Sequence, residues 1–357
     1  MIKVKIYGAG SIGNHYAYAC KRKKWDITIV DNDPKALIRM KKKIFPTRYG
    51  FWDNKIKLKT SDIDDYFDIV IIGTPPSSHL ELAIRNLKKN NKPKILQIEK
   101  PLCTPDLKNL KEFEYLRKRY YKNVQIFGGY NHLLTKHTKI SEKILKKENF
   151  KNLLYVKSYN NENWSEIFKA HFWLKSPKDS YLGFFNKGGG ALCEHSHGLA
   201  AWVHYCDFFN KGKINSFNAE MKIVKENSLY YDQISNLQIR TSKNLIGSVE
   251  QDTITLPAQK KIRLQFSNGY LENYVNYKKN YDAILFKCGE KTKKILIKKI
   301  RSDDFKGLVE HLEQALKKRI NYKKSPINID KSIYIMKLIN FAFKSYKKKL
   351  AVNYINV

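Results

Sequence analysis

Two groups of side chains in this sequence could carry out acid–base chemistry. Glu99 and Lys100 directly follow a short apolar run at 95–98. Glu194 and His197 stand three positions apart, just after a run of three glycines. A carboxylate and an imidazole at this spacing share one face of a helix and could exchange a proton with a substrate. The same two side chains could instead bind a metal ion, although no third ligand stands at a supporting spacing.

The first of these groups needs a strand to position it. The run at 95–98 is typical of a buried strand, and open α/β sheets bind ligands at the carboxyl ends of their strands. Glu99 and Lys100 would therefore stand at a ligand-binding edge. Pro101 stops the strand pairing and restricts the backbone just past the lysine.

A phosphate-binding loop is predicted near the N-terminus. A strand at 4–7 leads into a G-x-G-x-x-G sequence, and a helix is expected over 14–24. The first glycine permits a tight turn, the second lets a pyrophosphate approach the backbone, and the third lets helix pack on strand. The amides of the helix N-terminus would hold the phosphates. The loop residues assigned to the cofactor are Gly8, Gly10, Ser11, Ile12 and Gly13.

The second strand, at 27–30, ends in Asp31. An acidic residue about twenty positions after such a glycine loop can bind the ribose diol of a dinucleotide. The same carboxylate would repel a 2′-phosphate, so NAD is predicted and NADP is disfavoured. The alternative is that Asp31 only caps the helix that starts near Pro34.

The arrangement of elements predicts two domains. Strand and helix patterns alternate through residues 1–128, which predicts a Rossmann domain with a parallel, doubly wound sheet. Residues 129–357 contain several alternating strands followed by two amphipathic helices, near 303–319 and 330–348. This order predicts a second domain of the α+β class.

Residues 163–181 show no clear periodicity but are rich in polar and aromatic side chains. Long irregular segments often carry function. Trp, His, Lys and Asp together suit a sugar, because they offer flat apolar faces as well as hydrogen bonds to hydroxyls. We therefore assign His171 and Trp173 to substrate binding, with an ordinary packed surface loop as the alternative.

Composition narrows the class of protein. The chain of 357 residues has a formal net charge of +35, but its lysines are spread over nearly every segment. This spread predicts solvated faces that attract anionic substrates, rather than dedicated nucleic-acid binding. No run approaches the ~20 apolar residues of a membrane helix, and the N-terminus does not resemble a signal peptide. The five cysteines are scattered, without a Cys-x-x-Cys pair, which favours the reducing cytoplasm.

Four motifs occur in a fixed order: G-A-G-S-I-G at 8–13, T-P-P-S-S-H at 74–79, E-K-P at 99–101 and G-G-Y-N-H at 128–132. With these motifs the sequence resembles the Gfo/Idh/MocA oxidoreductases. The resemblance implies an N-terminal Rossmann domain and a C-terminal domain built on an open, mostly antiparallel sheet. It also implies an enzyme whose second domain binds substrate and forms a homo-oligomer, a dimer or a tetramer.

The resemblance assigns roles in the first domain. It implies that Thr74, Pro75 and His79 lie near the cofactor. It also implies that Glu99 and Lys100 lie beside the nicotinamide and that Lys100 contacts the substrate.

In the second domain the resemblance concerns substrate binding and catalysis. The glycine run followed by an acid and a histidine matches the family's catalytic helix, which makes Glu194 and His197 catalytic and substrate-binding residues. His195 is the alternative if the register is shifted. Asn131 is a further substrate contact, and no metal is expected.

The function predicted is NAD-dependent hydride transfer at a hydroxyl-bearing carbon of a sugar, amino sugar, cyclitol or nucleotide sugar. Lys100 would donate to the reacting oxygen and His197 would take the hydroxyl proton. One alternative is a redox-neutral reaction in the same fold, such as glycosidic cleavage or epimerisation. A second alternative is a non-catalytic nucleotide-binding or basic binding protein.

Overall fold

The computed structural model of this chain describes residues 1–120, 122–226, 228–348 and 352–353. Elements are numbered along the chain. The strands are β1 (Lys3–Tyr7), β2 (Asp26–Val30), β3 (Lys57–Lys59), β4 (Ile69–Ile72), β5 (Ile95–Ile98), β6 (Gln125–Gly128), β7 (Leu153–Asn161), β8 (Ile214–Glu226), β9 (Leu229–Thr241), β10 (Ile246–Asp252), β11 (Gln259–Phe266), β12 (Gly269–Lys278), β13 (Tyr281–Cys288), β14 (Lys291–Lys298) and β15 (Val352–Asn353). The α-helices are α1 (Ser11–Arg22), α2 (Pro34–Arg39), α3 (Phe45–Tyr49), α4 (Pro76–Lys88), α5 (Leu110–Tyr120), α6 (Lys136–Lys147), α7 (Trp164–Ala170), α8 (Ala191–Glu194), α9 (His197–Phe208), α10 (Arg301–Leu316) and α11 (Ile329–Lys348).

The chain forms two compact units, which are described separately. The first comprises residues 1–103, 107–131 and 301–332, and the second comprises 104–106, 132–300 and 333–357. The predicted domains were contiguous, whereas residues 301–332 belong to the first unit. The functions assigned to residues 1–128 and 129–357 stay predictions.

The first unit contains a parallel sheet of strand order β3-β2-β1-β4-β5-β6. Every residue of β4 and β5 is buried, as expected for strands covered on both faces. The strand order reverses between β1 and β4, and ligands bind at such a switch point, outside the carboxyl ends of the strands. The segments that follow β1, β4 and β5 carry the glycine loop, Thr74 and Lys100.

Helix α10 returns to pack on α1 within the first unit. The Phe305 ring stacks on His15 with centroids 4.5 Å apart and meets Tyr16 edge-on at 5.3 Å. Lys23 and Glu313 form an ion pair at 2.8 Å. These contacts join residues almost 300 positions apart, so no local sequence pattern predicts them.

The second unit is built on a mixed sheet of order β14-β13-β12-β11-β7-β10-β9-β8-β15. Only β7 and β10 pair in parallel among its described strands; the others pair antiparallel. Helix α9 packs on β7, β10 and β11, where the indole N–H of Trp202 donates to the Val156 carbonyl at 3.0 Å. The prediction of a Rossmann domain plus a domain with an open, mostly antiparallel sheet is confirmed.

The segment 163–181 is more regular than its sequence suggests. It contains α7 and two 3-10 turns, at 177–179 and 181–183. Trp164 is buried in a cluster with Ile167, Leu182 and Tyr231. The prediction of an irregular segment is therefore wrong at α7, where Trp164 and Ile167 lie one helical turn apart and face the same core. Within the described residues, no helix is long and apolar enough to cross a membrane.

Candidate functional site

The glycine loop of the first unit forms a cradle at the start of α1. Gly10 is the N-cap of this helix, and no side chain caps it. The amides of the first helical turn can therefore bind an anion. A Cβ on Gly10 would meet no atom within 4 Å, whereas a Cβ on Gly13 would lie 1.9 Å from the Gly8 carbonyl oxygen. The loop is thus open where a pyrophosphate would approach and closed where helix packs on strand.

A cationic side chain, Arg48, stands beside this loop. Arg48 Nη1 donates to the Ser11 carbonyl at 3.2 Å and to its hydroxyl at 2.9 Å. Arg48 lies in α3, far from the glycine motif, and its sequence surroundings carry no signal for this contact. The guanidinium adds positive charge near the helix N-terminus, where it favours an anion further.

Asp31 follows β2 and faces the glycine loop. Its Oδ2 accepts a hydrogen bond from the Ala9 amide at 2.7 Å, and its Oδ1 accepts one from the Asp33 amide at 2.9 Å. Helix α2 is capped by Asp33, whose side chain accepts from the Lys35 amide. The alternative that Asp31 serves as the cap of this helix is therefore wrong. Its contact with the ribose stays a prediction.

His79 joins two of the segments assigned to the cofactor. Its Nδ1 lies 2.9 Å from the Pro101 carbonyl oxygen and its Nε2 lies 2.7 Å from the Thr74 carbonyl oxygen. The residue is buried, which lowers the pKa of the imidazole to about 4, and the charge of Lys100 lowers it further in the same sense. A neutral ring donates to only one of the two carbonyls. His79 thus ties the segment after β4 to the segment after β5, while Pro75 forms the N-cap of α4.

The buried, neutral imidazole of His79 predicts a pH dependence of the free energy of unfolding. The pKa of His79 lies near 4 in the folded chain and near 6.5 for an unperturbed histidine. The unfolded chain therefore takes up the proton first as pH falls, and the stabilisation present above about pH 6.5 is lost towards pH 4. We expect the free energy of unfolding to fall by about 2 kcal/mol more in wild type than in His79→Gln between about pH 7 and pH 5. Denaturant unfolding at both pH values measures this, and parallel losses in the two proteins would contradict it.

Glu99 is held rigidly next to Lys100. The Glu99 carboxylate is buried and accepts a hydrogen bond from the Tyr16 hydroxyl. Burial and the charge of Glu99 raise the pKa of Tyr16 well above its ordinary value, so this hydroxyl stays a donor. The Lys100 amide also approaches Glu99 Oε2, at 3.4 Å. Glu99 therefore fixes the backbone from which the Lys100 side chain extends.

In the second unit, Asp232 of β9 anchors the start of α8, directly after the glycine run. Its Oδ2 accepts from the Leu192 amide and from the Ser235 hydroxyl, both at 2.7 Å. Complete burial raises the pKa of this carboxyl to about 7. A Cβ on Gly190, which has φ +91°, would lie 2.0 Å from Asp232 Oδ1. Glycine is required here because a side chain would both strain the backbone and displace the carboxylate.

Glu194 and His197 do not share one helical face, so that prediction is wrong. Helix α8 ends at Glu194 and α9 begins at His197. The break is held by Asn160 of β7, whose amide Nδ2 donates to the His195 carbonyl at 2.8 Å. Glu194 Oε2 accepts from the Tyr181 hydroxyl at 3.1 Å. His195 is 3% exposed, with its ring 6.5 Å from that of Trp164.

His197 lines a cavity of the second unit of about 450 Å³, including its open mouth. The His197 ring stacks on His132, with centroids 4.0 Å apart and planes 19° apart. His132 ends the G-G-Y-N-H motif at 128–132, but the sequence predicts no role for it. The polar and charged residues that share this cavity are His137, Thr138, Ser158, Tyr159, Asn160, Tyr205, Lys260, Lys261 and Asn273.

The other residues assigned to substrate lie outside the lining of this cavity. His171 Nδ1 donates to the Ile167 carbonyl, 2.6 Å away, and the His171 ring meets Trp173 edge-on at 5.3 Å. Asn131 belongs to the first unit, is buried, and donates its backbone N–H to the Gly129 carbonyl. Their contacts with substrate stay predictions. In the described part of the chain, no group of three His, Cys, Asp or Glu side chains is placed to hold a metal ion.

The N-terminal part of the chain matches a known protein-family model. Residues 4–102 match the family model of the TrkA-N domain. No match was found among the curated proteins. The matched segment spans β1 to β5 of the first unit.

Several solved structures share the fold over the whole chain. A levoglucosan dehydrogenase in complex with NADH is 16% identical, with a TM-score of 0.76 and 100% of both chains covered. The NAD-binding oxidoreductase from Klebsiella pneumoniae is 13% identical, with a TM-score of 0.75 and 100% of both chains covered. The WlbA dehydrogenase from Bordetella pertussis, in complex with NADH and UDP-GlcNAcA, is 13% identical, with a TM-score of 0.70, and covers 100% of this chain and 99% of its own. These likenesses show the fold.

Proposed function

We propose that this chain is a NAD-dependent oxidoreductase that transfers hydride between nicotinamide and a hydroxyl-bearing carbon of a sugar, amino sugar, cyclitol or nucleotide sugar. The observation that carries this proposal is the open phosphate cradle at Gly10. It occurs in a chain whose fold matches, over its whole length, dehydrogenases in complex with NADH. Among the described residues, no observation favours the redox-neutral or the non-catalytic alternative.

In the first unit we assign the pyrophosphate to the amides of Ser11 and Ile12 at the start of α1. The Asp31 carboxylate, at the end of β2, is assigned to the ribose diol. Thr74, Pro75, His79 and Glu99 would shape the nicotinamide end of the site. When bound, NAD supplies the acceptor for the hydride that leaves the substrate carbon. Lys100 donates a hydrogen bond to the substrate oxygen, where negative charge develops as the hydroxyl proton passes to the base.

In the second unit we assign His197 as the base that takes the hydroxyl proton in the oxidative direction. Each acid–base role of this kind is worth ~10²–10⁴ in rate. The stacking of His197 on His132 in a cavity supports its choice over the deeply buried His195. Glu194 is assigned to a substrate hydroxyl or to the orientation of His197, and Asn131, His171 and Trp173 to the substrate.

The cofactor assignment predicts a change of preference when Asp31 is replaced. Asp31→Ser removes a charged acceptor, so we expect NADH affinity to fall about tenfold and the preference for NADH over NADPH to shrink. Fluorescence titration of both dinucleotides measures this. Asp33→Ser is the matched control, because the Asp33 side chain caps α2 by accepting from the Lys35 amide. Equal changes of dinucleotide affinity in the two variants, or an unchanged preference in Asp31→Ser, would contradict the assignment of Asp31 to the ribose.

A substrate screen tests the function itself. The full chain is incubated with NAD and a panel of sugars, amino sugars, cyclitols and nucleotide sugars, and NADH absorbance is followed. We expect NADH to accumulate in equal amount to an oxidised product for at least one class. Cleaved or epimerised product without net NADH would establish the redox-neutral alternative instead. Dinucleotide binding without turnover of any panel member would favour a binding protein.

We further propose a cytoplasmic location and a homo-oligomer. The five scattered cysteines, without a Cys-x-x-Cys pair, suit a reducing compartment. The homo-oligomer rests on the family resemblance of the sequence motifs, and size-exclusion chromatography with light scattering tests it.

A further inference from the structure

The stacked pair of His132 and His197 joins two residues of the second unit that lie in separate elements. His197 begins α9, and His132 lies in the 3-10 turn at 131–134. Their rings overlap nearly face to face, 4.0 Å apart, and both line the same cavity. Two stacked imidazoles differ from two isolated ones, because a proton on either ring changes the energy of a proton on the other.

A network of hydrogen bonds between buried groups holds the backbone of His132 in place. The hydroxyls of Thr135 and Thr138 both donate to the His132 carbonyl at 2.8 Å. The Thr135 hydroxyl also lies 3.0 Å from Nε2 of His137, whose Nδ1 pairs with Asp282 at 2.6 Å. The second oxygen of Asp282 is bound by Lys299 at 3.2 Å and by the Asn276 amide at 2.8 Å. These contacts fix the backbone of His132, so its ring stays beneath His197.

The surroundings keep His132 neutral. Burial lowers the pKa of His132 well below its ordinary value, and the charges of His197, Lys299, His137 and Lys260 act in the same direction. The acids near these groups are already paired: Glu162 with Lys260 at 2.6 Å, and Asp282 with His137 and Lys299. The lysines that line the cavity together with the two rings are Lys260 and Lys261, and Lys261 lies 3.5 Å from Glu272.

We propose that His132 and His197 form a stacked pair that holds a single proton, carried by His197 and stabilised by the neutral ring face of His132. An imidazolium against a neutral aromatic face is attractive, whereas two stacked imidazolium rings repel. His132 is thereby a positioning residue for His197. The use of this pair to accept a substrate hydroxyl proton rests on the function proposed above: the O–H bond breaks and the proton passes to the His197 ring.

The test follows each histidine ring by NMR during a pH titration. The full chain is labelled at histidine Cε1, and its nine histidine signals are assigned by single substitutions. In wild type we expect His197 to titrate and His132 to stay neutral down to about pH 5. His132→Ala removes the ring face and should lower the midpoint of His197 by about half a pH unit, whereas His132→Phe keeps a face and should restore most of that shift. His197→Phe should raise the midpoint of His132.

His15→Phe is the matched control, because His15 is also a stacked histidine but belongs to the first unit. It should leave the midpoint of His197 unchanged. A purely structural role of His132 would lower the melting temperature of His132→Ala without moving that midpoint, and this result would overturn the pair. Independent titration of the two rings in wild type would also overturn the pair. The titration needs no substrate, so a failed substrate screen with the expected titration would reject the function and leave the pair standing.

Discussion

Replacing Lys100 by methionine is expected to lower the rate of substrate oxidation by a factor of about 10²–10⁴ while leaving NADH affinity near that of wild type. Methionine keeps an unbranched side chain but removes the ammonium that would donate to the substrate oxygen. The backbone at this position is held by Glu99 and by the tie between His79 and the Pro101 carbonyl. The loss should therefore come from the missing charge rather than from a displaced segment.

The matched control for this substitution is Lys94→Met. Lys94 stands at the opposite end of the same strand, where it is exposed and paired with Asp68 at 3.2 Å. It should leave the rate unchanged. Steady-state rates and NADH titrations of both variants make the comparison. A Lys100→Met enzyme that turns over at the wild-type rate would remove Lys100 from the chemistry, and one that loses NADH binding as well would make it a cofactor ligand.

The first unit could be predicted from its sequence because its signals are local. The glycine loop, the buried strands β4 and β5, and Asp31 at the end of β2 each follow from a short stretch of chain. Parallel strands bring their carboxyl ends to one edge of the sheet, so these stretches come together without any long-range information. Helix α10 is the exception, since its contacts with α1 depend on residues far away in sequence.

The break between α8 and α9 could not be predicted, because its causes lie in other strands. The sequence from Ala191 to Phe208 contains no proline, so a continuous helix was the natural interpretation. The chain departs from it where Asn160 of β7 binds the His195 carbonyl, and Asp232 of β9 anchors the start of α8. Both partners are buried polar residues of distant strands, and their own sequence surroundings do not indicate what they bind.

The role of His132 was missed for a related reason. The residue belongs to the motif at 128–132, but its role depends on a contact with His197, 65 positions later. Stacking of the two rings is set by the 3-10 turn at 131–134 and by the buried chain that ends at Asp282. Patterns along the sequence identify candidate histidines, and only tertiary packing decides which two of them meet.

The two glycines of the phosphate loop should respond to alanine in opposite ways. Gly10 has φ −79°, which alanine accepts, and its Cβ would point into open space. We expect Gly10→Ala to fold and melt like wild type but to bind NADH at least about tenfold more weakly, because the methyl group occupies room that the pyrophosphate needs. Fluorescence titration and a thermal melt test this. Undiminished NADH affinity would show that the pyrophosphate does not bind at this face of the loop.

Gly13→Ala is expected to damage the fold instead. Its Cβ would lie 1.9 Å from the Gly8 carbonyl oxygen, a backbone atom at the end of β1 that has no flexible side chain to yield. Relief requires α1 to move off the sheet, at a cost of about 3 kcal/mol or more in the free energy of unfolding. NADH binding should then be lost together with the thermal transition of the first unit, whereas Gly10→Ala loses the binding alone. Were Gly13→Ala to melt at the wild-type temperature, the close approach of helix and strand at this loop would be contradicted.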